Sequence, residues 1–96
     1  MPINCIPPFK RRLKYGDKGE DVRDLQSRLN NASEFLDDTP RVIQENGKYD
    51  YLTKQEVYHF QGQCRLPQTG LYDYNTHVAL GRTMNDYINW MSSQQN

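Results

Sequence analysis

The residues of this chain that could do chemistry are two histidines, two cysteines and a few carboxylates, and their spacing argues against catalysis. His59 and His77 do not form the i, i+4 histidine pair of a zinc hydrolase, and each reads as a surface side chain, His59 in mid-helix and His77 after a cap. His59 and Cys64 lie five apart on one expected helix, which points them in different directions and excludes a nucleophile–base pair. Nothing marks two carboxylates as an acid–base pair, and Asp50 and Asp73 do not follow a calcium-loop spacing. No catalytic residue, metal or cofactor is therefore expected. The alternative chemistry is non-covalent. Tyr51, Tyr58 and Tyr74 are candidate exposed ring faces, with Asp50, Gln61 and Asp73 as polar partners. Rings combined with a few polar groups are a common way to hold a small ligand. Each of the six also has a purely structural reading in a turn or on a solvated face.

Four of these six residues belong to a repeat. Residues 47–53 and 70–76 share G-x-Y-D-Y-x-T at a constant offset, 70 − 47 = 23. Self-similarity at a fixed period implies one supersecondary unit used twice. Glycine suits a positive φ at the opening of each copy, and Tyr49 and Tyr72 are aromatic plugs for the core. Asp50 and Asp73 read as turn residues that tolerate a left-handed backbone and bond nearby amides. Thr53 and Thr76 read as helix N-caps, with Thr53-Lys54-Gln55-Glu56 as a capping box.

Three helices would position these loops. Val22, Leu25, Leu29, Ala32 and Leu36 follow a helical spacing behind a Gly16–Gly19 turn, which predicts a first helix over about residues 21–31. Val57, Phe60 and Cys64 predict a second over about 54–65, and Thr76 opens a third at His77. Gly81 ends or interrupts that third helix. Met84, Tyr87, Ile88 and Met91 then predict a C-terminal amphipathic helix, and with Trp90 they form a stripe that could fold back or dock a partner. The expected fold is an all-α small three-helix bundle with two repeated loop–helix units plus that helix. Residues 1–12 are an extended Pro-rich lead-in, 13–82 the domain and 83–96 the C-terminal helix and tail.

Bulk properties narrow the partners. At 96 residues the chain is one domain, and 12 Lys+Arg against 12 Asp+Glu exerts no general pull on nucleic acid or anionic lipid. The local excess at Lys10, Arg11, Arg12 and Lys14 reads as a solvated basic segment. No stretch is long enough to span a membrane. Two cysteines make no disulfide framework, and a Cys5–Cys64 bridge is left open. Residues 1–9 hold three prolines with their charges following, the reverse of a secretory signal, so no signal peptide is expected.

Three blocks in order resemble the peptidoglycan-binding domain family of cell-wall hydrolases and phage lysins. They are Asp21-Val22-Arg23-Asp24-Leu25-Gln26-Ser27-Arg28-Leu29, then Gly47 through Thr53 with Val57, Phe60 and Gln61, then Leu66, Gly70, Asp73, Thr76, Ala79 and Leu80. The sequence departs from the family pattern at Asp50 and Asp73, which replace a glycine, and at Tyr51 and Tyr74 after them. Glu56 replaces a small residue, which implies a looser or more exposed helix face. The resemblance implies a non-catalytic module that binds peptidoglycan of the bacterial cell wall. With no signal peptide, it further implies a bacteriophage product that acts at the wall or in a virion. The alternative is a virion structural or adaptor protein, docking a virion or lytic protein through Met84, Tyr87, Ile88, Trp90 and Met91.

Overall fold

The computed structural model describes residues 8–38 and 41–93, so Cys5 and most of the lead-in lie outside the described residues. Three helices follow one another: α1 Glu20–Leu36, α2 Tyr51–Gln63 and α3 Tyr74–Ser93. α1 packs against both α2 and α3. The all-α bundle expected from the sequence is thus the observed fold.

All three helices depart from their expected limits, and α2 ends at Gln63, two residues short of the expected end. α1 continues beyond Asn31 because Ala32 and Ser33 remain buried, and it stops where the Asp37 amide returns to the Ser33 carbonyl. α2 and α3 each begin three residues early, and this corrects the assignment of the caps. Asp50, in extended backbone, is the N-cap of α2, and its Oδ1 accepts from the Thr53 amide at 2.9 Å. Asp73 accepts from the Thr76 amide in the same way, at 2.9 Å. Thr53 and Thr76 lie three positions into their helices, where each hydroxyl donates to the capping carboxylate at 3.0 and 2.8 Å. A carboxylate accepts both the amide and the hydroxyl, so it takes the cap from threonine. α3 runs unbroken through the buried Gly81, and the C-terminal amphipathic segment is its continuation.

One core joins the elements: Val22, Leu25, Leu29 and Ala32 of α1, Val57 and Phe60 of α2, and Leu80 of α3. Tyr49 and Tyr72 plug it from the loops, only 2% and 8% exposed, as their place in the repeat predicted. Among the described residues the chain has no strand, only two isolated bridges, Leu13 to Tyr72 and Lys18 to Lys48. The segment before α1 pairs with both copies of the repeat. Leu13 exchanges amide bonds with Tyr72 at 3.0 and 2.9 Å, while the Gly16 amide and the Asp17 carbonyl bond Tyr49, both at 2.9 Å. Gly47 has φ +75°, and a Cβ there would lie 3.1 Å from the Gly19 carbonyl oxygen, so this crossing requires glycine.

Candidate functional site

Each repeat loop is clasped by a buried glutamine. Gln26, fully buried on α1, accepts from the Gly47 amide at 2.9 Å and donates to the Lys48 carbonyl at 2.8 Å and Thr53 Oγ1 at 3.0 Å. Gln61, 1% exposed on α2, accepts from the Thr69 and Gly70 amides, both at 2.9 Å. It donates to the Leu71 carbonyl and Thr76 Oγ1, both at 2.9 Å. Its amide thus completes the second loop and is turned away from solvent, which is not the surface position its expected role as a ligand partner requires. Gln26 appeared in the sequence only as part of the first family block, and its role as a clasp was not foreseen. The available signal was an amide placed directly after a core residue, Leu25-Gln26 and Phe60-Gln61.

Asp50 and Asp73 are half-buried caps. The tyrosines after them stand out from the surface to the same degree, Tyr51 at 62% and Tyr74 at 61% exposed. Tyr58 is also exposed. It follows Tyr51 by seven residues, so the two rings share one face of α2, about 10 Å apart along the axis. Tyr74 stands elsewhere, edge-on to Phe9 with ring centroids 5.8 Å apart. It forms one wall of a shallow depression with Leu66, Val78 and Arg82. The expected aromatic set is therefore two surfaces, an α2 face and the start of α3.

A groove of about 380 Å³ opens where residues 8–13 cross the beginnings of α1 and α3. Its apolar floor is Leu13, Leu25 and Tyr72, and it is lined by Lys10 and Arg11 of the N-terminal segment and by Glu20, Asp21, Asp24 and Arg28 of α1. Arg11 Nε donates to Asp21 at 2.7 Å, and this bond holds the Asp21 carboxyl below its ordinary range. Arg28 pairs with Asp24 at 3.1 Å. The Tyr72 hydroxyl meets His77 Nδ1 at the inner end, and burial pushes that phenol up to about 12. His77 is thus a buried partner of Tyr72, not the surface side chain its position suggested.

Two further expectations change at the outer side of α2. Glu56 is buried, not exposed, and lies 3.8 Å from Arg41 instead of reaching back to a cap. Burial raises its carboxyl above the ordinary value, with Arg41 only partly opposing. His59 Nε2 meets Asp37 Oδ1 at 3.3 Å. Burial tends to raise Asp37, but its bonds from Ser33, His59 and Gln63 outweigh that and lower it. Ser33 Oγ donates to Asp37 and accepts from the Arg41 amide, both at 2.9 Å. That network fastens the loop after α1.

The C-terminal stripe divides in two. Tyr87 and Trp90 fold back onto Phe35 of α1, with centroids 6.1 and 5.6 Å away, and the Tyr87 hydroxyl donates to Glu34 at 3.2 Å. Met84 is half-buried, while Ile88, Trp90 and Met91 keep 37–40% of their surface exposed. Among the described residues no three His, Cys, Asp or Glu side chains are grouped to hold a metal, and no helix is long and apolar enough to cross a membrane.

Fold and loops together define a small all-α domain whose two loop–helix units are locked by glutamine clasps. Over residues 18–80, more than half of the chain, it matches the model of the family described as "Putative peptidoglycan binding domain", and the chain belongs to that family. Among curated proteins no relative matches it. Membership of this family, a binding module, supports binding at the cell wall.

Proposed function

We propose that the protein binds bacterial cell-wall peptidoglycan without cutting it, as a targeting module. The observation that carries this is the family match over residues 18–80, which spans both repeats and all of α1 and α2. The exposed Tyr51, Tyr58 and Tyr74 offer ring faces to the sugar chain, with the carboxylates of Asp50 and Asp73 beside the first and last. Retention on purified insoluble peptidoglycan tests it. The wild-type chain sediments with the wall, and the Tyr51→Ala/Tyr74→Ala double variant loses about tenfold in affinity while melting normally. Absence of retention by the wild-type chain would refute it.

In the same proposal the protein is phage-encoded and works in a virion or at lysis, so mass spectrometry of purified particles should find it there. A second function, docking another virion or lytic protein, is favoured by the exposed edge of Ile88, Trp90 and Met91. A stable co-purifying partner lost on Trp90→Ala, with no wall retention, would select it over wall binding.

A further inference from the structure

We infer that the groove between the N-terminal segment and α1 takes the peptide part of peptidoglycan, a short chain bearing both carboxylates and an amine, rather than its sugar. This rests on the wall-binding function proposed above. Three cations and three carboxylates face the same groove, so its charge balances. A polyanion would need a net positive channel, and an apolar ligand would need an uncharged one. A small zwitterionic peptide matches both signs at once.

Two of the six charges are free to meet it. Arg11 and Arg28 are committed to Asp21 and Asp24. Lys10 makes no ion pair among the described residues, and Glu20 has only Arg23 at 3.9 Å, with both side chains largely exposed. Lys10 would receive a carboxylate and Glu20 an amine. The floor of Leu13, Leu25 and Tyr72 is almost wholly buried, so the apolar contact it offers is no larger than a methyl group such as that of alanine. It does not suit a sugar, because its one aromatic ring is only 8% exposed and its hydroxyl is committed to His77. The exposed Tyr51, Tyr58 and Tyr74 are not part of this groove.

The test uses two soluble probes on the full chain, followed by amide NMR shifts. They are the tetrapeptide L-alanyl-γ-D-glutamyl-L-lysyl-D-alanine and the tetramer of N-acetylglucosamine. The peptide should shift amides of residues 10–13 and 20–28, and added salt should weaken it. Lys10→Glu and Glu20→Gln should each weaken the peptide by about fivefold or more without changing the melting temperature. Peptide shifts confined to the α2 face, groove shifts caused by the sugar tetramer, or unaltered peptide affinity in both variants would each overturn the assignment. Failure of the peptide to bind while insoluble peptidoglycan is retained would overturn the groove alone. Failure of both would remove the wall-binding function as well.

Discussion

Tyr49 and Tyr72 hold the same place in two copies of one motif, yet their hydroxyls end in different surroundings. Tyr49 donates to the Gly70 carbonyl of the other loop at 2.7 Å, inside the core. Tyr72 reaches His77 at the inner end of the charged groove. The local code is shared throughout. Gly47 and Gly70 have φ of +75° and +73°, both helices are capped by aspartate, and both loops hang on a buried glutamine. What differs is the residue after the threonine that bonds the capping aspartate. Lys54 lies against Gly70 in the first unit, while His77 turns inward to the plug tyrosine in the second. One unit therefore ties the loops together, and its twin lends a wall to the groove.

The clasps should show the largest effect and the closest equality. Gln26→Ala and Gln61→Ala each orphan several buried amide and carbonyl groups, so each should cost about 3 kcal/mol in denaturant unfolding. A cost well below 1 kcal/mol for either would break the equivalence of the two loops. The plugs should separate them. Tyr49→Phe leaves the Gly70 carbonyl unpaired and should cost about 1–2 kcal/mol, and Tyr72→Phe less, in the same assay. Equal losses would mean that the histidine is as demanding a partner as the carbonyl. The caps come next, with Asp50→Ala and Asp73→Ala at about 1 kcal/mol each. Replacing Thr53 by serine, which keeps the hydroxyl, should preserve most of the stability of α2.

The smallest effect concerns Glu56, whose counterpart in the second unit is Ala79, since 79 − 56 = 23. Burial raises the Glu56 carboxyl in the folded chain, so the fold favours its protonated form. Its ionised form opposes stability once pH passes above the ordinary carboxylate value of about 4.3. Glu56→Gln should therefore melt higher than wild type at neutral pH, and the difference should vanish below that value. A lower melting temperature at neutral pH would show that the Arg41 pair outweighs burial.

Much of the fold was legible because its signals are local. Val22, Leu25 and Leu29 repeat at helical spacing, and the plug tyrosines and turn glycines recur 23 residues apart. The caps were misjudged by three residues because aspartate and threonine both have capping oxygens. Only the direction of the bonds among Asp50, Thr53 and Gln26 separates cap from clasp partner. Glu56 and His77 were misplaced for a related reason: burial of a polar side chain depends on partners elsewhere, here Arg41 and Tyr72.

The sequence by itself determined that this is a small helical repeat domain resembling the peptidoglycan-binding family. Apolar periodicity and turn residues act within a few positions of themselves, so the linear order records them. Tertiary structure alone decided which polar residues meet. Gln61 became a clasp, Tyr74 came to stand apart from the α2 face of Tyr51 and Tyr58, and the segment before α1 brought Lys10 into one groove with Glu20. Such juxtapositions join residues on different elements. They follow from how the helices pack and how residues 13–19 pair with both loops, and no spacing along the chain encodes them.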